Sequence, residues 1–350
     1  MVNLKKYYIG IHSHEAIPVP SLVSPPPAEP IFISAVTVNQ GGNPYLRAHS
    51  YEGDVLSFAF NYTSSAEDYY DSVAIHPHRN LVAGVSHNAA PTLFVGRYGV
   101  HENVFIDELP ARGNCFFTDN KLFICPHGGD NRFEILDLDT WEFEDPWYSE
   151  HFDPYSHMDA SRAGYVFIPA QGDLHIYDWK NRSFVTTADI ENFGTTSIWS
   201  GRHARGPSAR PDNTCVIVRG PIVALMGENG AIWYDLFGDG DNINNNSWRP
   251  VTHDFESNVY FTGDQTDGVM GLHKLDKDGN HIWSREETVQ KSSCSANNAG
   301  RIVVHGGNSI ELWDNNGNKL DLTGGPEGSY GNRRILEMHP GRYGMFGIPK

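Results

Sequence analysis

The stretch Val73-Ala-Ile-His-Pro-His-Arg-Asn-Leu-Val-Ala-Gly-Val85 decides the fold of this chain. A short apolar run leads into a polar turn with a proline, and a second apolar run follows, which predicts two paired strands. The pattern returns about every 42 residues, a period that belongs to repeat architectures. Later copies begin at Cys115, His157, Val216, His253, Ser295 and Leu336. The chain is therefore built from one repeated β-unit.

A repeat of this length, with several short strands in each unit, is typical of a β-propeller. Seven units take up about 294 residues, which fits residues 31–350 once an insertion at about residues 190–213 is subtracted. We therefore predict an all-β fold, with residues 31–350 forming a seven-bladed β-propeller of four-stranded antiparallel blades.

The two ends of the chain carry incomplete units. No first strand precedes residue 31, whereas the last unit has a first strand near residues 335–339 and no third or fourth. We expect the N- and C-terminal strands to complete one blade together and close the ring, which leaves no free sheet edge. Residues 31–38 and 343–348 both have the pattern of a second strand, and the sequence leaves open which of them joins that blade.

The strands within a unit differ in composition. Second strands are predicted from continuous apolar runs, which indicate burial on both faces of the sheet. These runs are Leu122-Phe-Ile124, Tyr165-Val-Phe-Ile168 and Ile222-Val-Ala-Leu-Met226. Third strands are predicted where an aromatic residue stands near an acidic one. They are Leu174-His-Ile-Tyr-Asp-Trp179, Ile232-Trp-Tyr-Asp235 and Ile310-Glu-Leu-Trp-Asp314. Asp276-Lys-Asp-Gly-Asn280 predicts a tight hairpin turn.

Charge and composition exclude several classes of partner. The formal net charge of −17 argues against binding to a nucleic-acid backbone or an anionic membrane surface. No apolar run reaches 18 residues and no secretory signal opens the chain, so we expect no membrane insertion and synthesis in a cytoplasm without a signal peptide. The four cysteines are scattered without a Cys-x-x-Cys motif, which predicts buried free thiols.

Residues 1–30 differ from the repeats that follow. Tyr7-Tyr-Ile-Gly-Ile11 has the pattern of one short strand, and a proline-rich stretch at residues 18–30 favours extended polyproline II. We read these residues as an N-terminal arm with a stiff spacer. A lone strand can pair with the sheet edge of a neighbour, so Tyr7, Tyr8, Ile9 and Ile11 are candidate partner-binding residues. The alternative is a disordered tail.

The insertion at about residues 190–213 is a second candidate interface. It places Trp199, Arg202, Arg205 and Arg210 on an otherwise acidic chain. Tryptophan and arginine are enriched at binding hot spots, which makes these four residues candidates for partner binding. The alternative is a loop with no partner.

Seventeen histidines raise the question of a metal site. His76, His78, His157, His253 and His339 fall near the ends of first strands, which line the axis of a propeller. The same positions do not carry histidine in the other units, so a structural role is favoured over a metal ring.

Asp239 and Asp241 lie in an oxygen-rich run, Gly238-Asp-Gly-Asp-Asn-Ile-Asn-Asn-Asn246, and are weak candidates for binding a hard cation. The spacing does not match an EF-hand loop, so we predict a polar hairpin loop and no bound metal or other cofactor. No phosphate-binding loop or nucleophile elbow is present, and we predict no catalytic residues.

The Ile-Tyr-Asp-Trp run and the strand, His-Pro turn, strand pattern resemble the WD40 and YncE-like propeller superfamily. Leu275-Asp-Lys-Asp-Gly-Asn-His-Ile-Trp283 resembles the repeat of quinoprotein-type propellers. Ser50-Tyr-Glu-Gly-Asp-Val-Leu56, followed by residues 71–85, is similar to propeller repeats in structural proteins of tailed bacteriophages, although regular Ser-Pro-Asp-Gly turns are missing. That likeness implies a virion-associated structural protein whose partners are other protein subunits.

Two functions follow from these observations. The first is a non-enzymatic protein-interaction scaffold, in its narrower form a structural component of a tailed-phage virion docked through the N-terminal arm. The alternative is an enzyme with its site at the propeller axis, either a metal-assisted lactonase or a quinoprotein-like enzyme. An enzyme would need three or more convergent ligands at the axis, which is the feature that distinguishes the two hypotheses.

Overall fold

The structure is a computed structural model of the 350-residue chain. It describes residues 32–38, 45–49, 55–58, 70–76, 79–86, 92–97, 102–109, 113–118, 120–126, 132–149, 158–161, 164–170, 173–189, 208–210, 213–219, 222–227, 230–235, 251–254, 256–264, 270–286, 291–296, 301–306, 309–320 and 330–338. Within these ranges the secondary-structure elements are all β-strands. None of the ranges contains a helix that is long and apolar enough to cross a membrane.

The described strands form seven four-stranded sheets with antiparallel pairing. Sheet 1 contains β1 (Phe32–Val38), β2 (Tyr45–His49), β3 (Val55–Phe58) and the last strand of the chain, β28 (Tyr330–Met338). Sheet 2 contains β4 (Tyr70–Ile75), β5 (Leu81–Ser86), β6 (Thr92–Arg97) and β7 (Glu102–Glu108). Sheet 3 contains β8 (Gly113–Phe117), β9 (Lys121–Pro126), β10 (Arg132–Asp137) and β11 (Trp147–Tyr148).

The later sheets follow the same plan. Sheet 4 contains β12 (Asp159–Ala160), β13 (Tyr165–Ala170), β14 (Asp173–Asp178) and β15 (Ser183–Asp189). Sheet 5 contains β16 (Ser208–Ala209), β17 (Cys215–Arg219), β18 (Ile222–Gly227) and β19 (Gly230–Asp235). Sheet 6 contains β20 (Val251–His253), β21 (Val259–Asp264), β22 (Met270–Leu275) and β23 (His281–Glu286). Sheet 7 contains β24 (Lys291–Ala296), β25 (Ile302–Gly306), β26 (Ser309–Trp313) and β27 (Lys319–Leu320).

The sheets are arranged as the blades of a propeller. In sheets 2 to 7 the spatial order of the strands follows the chain, so each sheet is a simple meander. The first strands of neighbouring sheets contact one another, for example β4 with β8, β16 with β20, and β20 with β24. These contacts place the first strands innermost, next to the axis. The protein is therefore an all-β propeller with four-stranded antiparallel blades.

Sheet 1 combines strands from both ends of the chain. The order is β28-β1-β2-β3, with Ile33 opposite Glu337 and Ala35 opposite Ile335. The C-terminal strand therefore occupies the innermost position, and β1 is the second strand. Residues 343–348, the other predicted second strand, lie outside the described residues.

The second strands are buried on both faces, as the continuous apolar runs predicted. Leu122, Phe123 and Ile124 of β9 are at most 1% exposed. Their alternate side chains join different clusters: Leu122 and Ile124 pack with sheet 2, and Phe123 packs with sheet 4. Sheet 3 thus shares one apolar layer with sheet 2 and another with sheet 4, and similar clusters join sheet 5 to sheet 6 and sheet 6 to sheet 7. Cys115, Cys125, Cys215 and Cys294 are buried free thiols, which confirms that prediction.

Sheet 5 departs from the predicted strand order. The run from residue 216 to 225 was read as a first and second strand, but the second and third strands occupy it. The first strand is β16, which lies inside the segment assigned to the insertion. Ser208 and Ala209 form only two residues of strand and lack an apolar pattern, so the sequence gives no period-two signal there. Residues 232–235 consequently belong to a fourth strand rather than a third.

Candidate functional site

Polar side chains on the first strands form a belt around the axis of the propeller. Ser72, Asp159, Ser208, Thr252 and His253 bond across the boundary to a neighbouring sheet. We call these five residues the inner belt. They come from four different sheets. The two residues joined by each of these hydrogen bonds are 43 to 50 positions apart in the sequence. The belt is the main polar feature that the described residues place near the axis.

The inner belt provides acceptors for amides of the innermost strands. An innermost strand has a neighbour along one edge only, and its remaining amides need another acceptor. The amide of Cys115 donates to Ser72 Oγ at 3.1 Å, and that of Ala209 donates to Asp159 Oδ2 at 2.7 Å. In the same way, the amide of Ala296 donates to Thr252 Oγ1 at 2.9 Å. In each case the acceptor belongs to the preceding sheet.

Ser208 and His253 connect sheets 5 and 6 through their side chains. Ser208 Oγ lies 2.7 Å from His253 Nδ1. The serine is 5% exposed. A hydroxyl this close to an imidazole nitrogen can transfer its proton to that nitrogen, which is the elementary step of general-base catalysis. The sequence placed His253 at the end of a first strand, and the structure agrees.

Asp159 is the inner-belt residue whose pKa is shifted from its ordinary value. Burial raises the pKa of its carboxyl group to about 6, although hydrogen bonds from the amides of Ala209 and Ala160 act in the opposite direction. Arg210 and Cys215 lie close by, and burial raises the pKa of the Cys215 thiol well above its ordinary value. Below about pH 6 the carboxyl group of Asp159, at the boundary between sheets 4 and 5, is therefore protonated and uncharged.

His76 has a structural role in the described part of the chain. It follows β4 directly, is 0% exposed, and its Nδ1 accepts a 2.9 Å hydrogen bond from the Arg79 amide. Its ring packs against Phe117 of sheet 3 at 5.1 Å between centroids. His78, His157 and His339 lie outside the described residues.

A second set of contacts joins the sheets farther from the axis. Arg79 Nη1 donates to the carbonyl of Leu138 at 3.1 Å, and Arg210 Nη1 donates to that of Lys277 at 3.2 Å. Arg285 Nε donates to the carbonyl of Gly317 at 2.9 Å. In each case an arginine side chain of one sheet donates to a backbone carbonyl in the turn that precedes the last strand of the next sheet. Arg210 is 5% exposed, so the contact that the structure gives this predicted partner-binding residue lies within the chain.

Most of the other predicted site residues lie outside the described ranges. They are Tyr7, Tyr8, Ile9, Ile11, Trp199, Arg202, Arg205, Asp239 and Asp241. Within the described ranges, no group of three or more His, Cys, Asp or Glu side chains is placed to hold a metal ion. The turn predicted at residues 276–280 is present, with the amides of Asp278 and Asn280 donating to Asp276 Oδ1.

Sequence reasoning missed most of the inner belt. Asp159, Ser208 and Thr252 stand two residues before the turn that ends the first strand of their unit, and Ser295 takes the corresponding place in sheet 7. Aligning the units on that turn would have revealed a polar column in sheets 4 to 7. The corresponding residues of sheets 2 and 3 are Ala74 and Phe116.

In sheets 3, 4 and 6, large exposed apolar side chains lie on the side of the sheet away from the axis. Among the described residues, the large apolar side chains with high exposure are Phe143, Tyr148, Phe184 and Ile282. Tyr148, Phe184 and Ile282 belong to fourth strands, and Phe143 bridges to Leu136 beside the fourth strand of sheet 3. Among the described residues, the outer rim of these three sheets therefore carries the large exposed apolar side chains.

Of the comparisons with known proteins, the one with solved structures gives matches. No protein-family model matches the chain, and no curated protein matches its sequence. Among solved structures, the chain is similar to the crystal structure of BamB from Moraxella catarrhalis, with 14% sequence identity and a TM-score of 0.49. The match covers 82% of this chain and 88% of that chain. At this identity nothing about activity or partners is carried over.

Proposed function

We propose that this protein is a non-enzymatic protein-interaction scaffold whose partners are other protein subunits. The observation that carries the proposal is the placement of exposed aromatic and aliphatic side chains on the outer rim, with Tyr148 61% and Ile282 49% exposed. Contiguous exposed apolar patches mark protein-protein contact sites, and Phe143 and Tyr148 lie in one segment of sheet 3. In this arrangement the ring is a rigid support, and its rim and the N-terminal arm of residues 1–30 carry the contacts.

The proposed support is a closed ring of seven blades. It is supported by the seven four-stranded sheets, by the pairing of β28 with β1, and by contacts of β28 with both β24 and β4. The inner belt adds rigidity, because each of its hydrogen bonds ties one sheet to the next. A rigid support lowers the entropy lost when the rim binds a partner.

The narrower form of the proposal is a structural subunit of a tailed-phage particle, docked through the N-terminal arm. Its support is the similarity of residues 50–56 and 71–85 to propeller repeats of such proteins, which rests on sequence alone. The arm is the chosen contact because Tyr7, Tyr8, Ile9 and Ile11 form one short apolar strand, and a single strand cannot bury its own apolar face.

Deletion of residues 2–29 tests this proposal. We expect the shortened protein to remain folded and soluble, with an unchanged melting temperature, and to be excluded from the assembly that the full chain joins. Incorporation is measured by co-sedimentation with assembled particles or with the full-length chain. Normal incorporation of the shortened protein would refute docking through the arm and direct attention to Trp199, Arg202 and Arg205.

The alternative is an enzyme with its site at the axis, either a metal-assisted lactonase or a quinoprotein-like enzyme. The observation that favours it is the 2.7 Å pair of Ser208 and His253, which offers a base near the axis. The enzyme hypothesis predicts turnover of a panel of aliphatic lactones, supplied with divalent cations, that is lost in His253→Ala. The scaffold hypothesis predicts the same rate for the native chain, the variant and buffer.

A further inference from the structure

The outer segment of sheet 3 is acidic and aromatic at the same time. Residues 139–149, which we call the rim segment, read Asp-Thr-Trp-Glu-Phe-Glu-Asp-Pro-Trp-Tyr-Ser and contain four acidic residues and no basic one. They run along the outer side of β10, where Phe143 bridges to Leu136 and Trp147 pairs with Phe133. The rim segment therefore faces away from the axis.

The aromatic side chains of the rim segment are supported from beneath. Phe143 meets Phe105 of sheet 2 edge to face at 5.8 Å, and Trp141 stacks on the same ring at 6.2 Å. Phe143 is nevertheless 37% exposed, and Tyr148 is 61% exposed. The segment thus presents apolar surface that is held in place and remains in contact with water.

Two carboxylates of the rim segment remain available for a cation. Asp139 pairs with Arg79, and Glu144 pairs with Lys121 and Arg182. Glu142 and Asp145 are exposed and form no ion pair with any residue that the structure describes. A partner with two closely spaced positive charges beside apolar side chains would complement this surface.

The N-terminal arm has that composition. Its first fourteen residues include Lys5 and Lys6 and no acidic residue, on a chain whose net charge is −17. Tyr7, Tyr8 and Ile9 follow the lysines directly. The arm thus has a positive charge on an otherwise acidic chain, with aromatic side chains beside it. Its charge is opposite to that of the rim segment, and its aromatic side chains can pack on those of the rim segment.

We propose that the rim segment binds residues 5–11 of a second copy of this chain. Lys5 and Lys6 lie against Glu142 and Asp145, and the two tyrosines pack on Phe143 and Tyr148. The inference rests on the proposed function and names the receptor for the arm. Pro146 has no N–H to donate, so a continuous added strand is disfavoured and the contact is made chiefly by side chains.

The spacer favours a second copy over the same chain. Residues 18–30 are rich in proline, and thirteen residues of polyproline II extend roughly 40 Å. A stiff segment of that length carries the arm away from its own ring. Because the arm and the rim segment are different surfaces, each copy can give one contact and receive another, which generates a ring or a filament of copies.

Photo-crosslinking of the full-length protein tests the contact directly. p-Benzoylphenylalanine replaces Tyr8, the variant is mixed with isotopically heavy native chain, and the products are mapped by mass spectrometry. We expect crosslinks from the light arm to heavy peptides that contain residues 139–149. Crosslinks to other surfaces, or to the rim segment of the same chain only, would overturn the proposal.

Charge exchange tests whether the complementarity is responsible. Glu142→Lys with Asp145→Lys should weaken self-association by about tenfold or more, measured by sedimentation velocity at about 50 mM salt. Adding Lys5→Glu and Lys6→Glu to the same chain, so that every copy carries both a reversed arm and a reversed rim segment, should restore self-association. The matched control is Glu256→Lys with Asp278→Lys, which changes the same charges on exposed residues of sheet 6. Failure of the exchange to restore association would refute the assignment.

The proposed function and this inference fail in different ways. If the chain without residues 2–29 still assembles, then docking through the arm is wrong and both fall. If arm deletion abolishes assembly and the rim-segment variant assembles normally, then the arm docks elsewhere and only this inference falls.

Discussion

Gly317 lies in the turn before β27 with φ of +79°, a conformation that L side chains rarely adopt. A Cβ atom there would come within 2.7 Å of Arg285 Nε, which donates to the carbonyl of the same glycine. We expect Gly317→Ala to lower the free energy of unfolding by about 2–4 kcal/mol, because it combines backbone strain with loss of the arginine contact. Chemical denaturation measures this cost.

The two contributions can be separated with Arg285→Ala. In that background the Gly317→Ala substitution should cost only about 1–2 kcal/mol, which is the backbone part. Equal costs in the two backgrounds would mean that Gly317→Ala leaves the Arg285 contact undisturbed and acts through the backbone alone.

Asp159 gives the protein a pH dependence of known sign. Its folded-state pKa of about 6 lies above the ordinary 3.8, so the folded protein binds this proton more tightly than the unfolded chain does. The stabilisation is complete below about pH 4 and is lost as the pH rises through 6. Asp159→Asn, which keeps an oxygen to accept from the Ala209 amide, should therefore be more stable than the native protein by about 1–3 kcal/mol at pH 7. The difference should vanish near pH 4.

Asp276 provides a control of opposite sign. Burial acts to raise the pKa of Asp276, but hydrogen bonds from the side chain and amide of Asn280 outweigh it, and the pKa is lowered. Asp276→Asn should destabilise the protein at neutral pH and lose that effect in acid. Between about pH 4 and 8 the Asp159→Asn midpoint should therefore rise progressively above the native one, whereas the Asp276→Asn midpoint should stay below it by a constant amount and approach it only at more acid pH. An Asp159→Asn curve parallel to the native one would contradict the role given to Asp159.

Individual residues were predictable from sequence only where a short motif defines them. Asp276 was recognised because its turn bonds are made within five residues, and His253 because it begins one copy of the repeat near the end of a first strand. The bond between Asp159 and Ala209 spans 50 residues, and no local pattern reveals it. Long-range polar contacts depend on how sheets face each other, which only the folded arrangement determines.

At the scale of the strand, the inner belt should make a measurable contribution to sheet packing. Thr252→Val keeps the shape of the side chain but removes the oxygen that accepts from the Ala296 amide. An amide left without an acceptor in this packed region costs about 1–3 kcal/mol, and we expect a loss of that size in the free energy of unfolding.

Thr262 is the matched control in the same sheet. Its Oγ1 is buried and has no hydrogen-bond partner among the described residues. Thr262→Val should therefore leave the free energy of unfolding unchanged or raise it, since it removes a buried hydroxyl group that makes no hydrogen bond to the described residues. If both valine variants cost the same, then the loss comes from packing and the hydrogen bond of the inner belt is unimportant.

Strands with a strong apolar pattern were predicted well, and short ones were not. The buried runs of β9 and β13 define their sheets because both faces need apolar residues. In contrast, β16 has two residues and is held by bonds to sheets 4 and 6. Its position depends on tertiary contacts. This explains why the second and third strands of sheet 5 were predicted to be the first and second.

At the scale of the whole molecule, the proposed closure through sheet 1 makes the C-terminus essential. Removal of residues 333–350 deletes most of β28, which pairs with β1 and contacts β4 and β24. We expect loss of the cooperative thermal transition, because the deletion opens sheet edges on both sides of the gap. The chain without residues 2–29 serves as the control and should melt as the native protein does. A C-terminal truncation that melts with native cooperativity would refute closure by these strands.

The pairing of β28 with β1 also imposes an order in time. On the ribosome, β1 is made long before its innermost neighbour β28, with 26 described strands in between. At ordinary rates of synthesis, the roughly 290 residues that separate them take about 15–60 s to appear. Throughout that interval the inner edge of β1 has no partner from its own chain. The nascent protein therefore exposes a pairing-competent strand until β28 has been made, and a second copy on a neighbouring ribosome of the same message exposes the same edge.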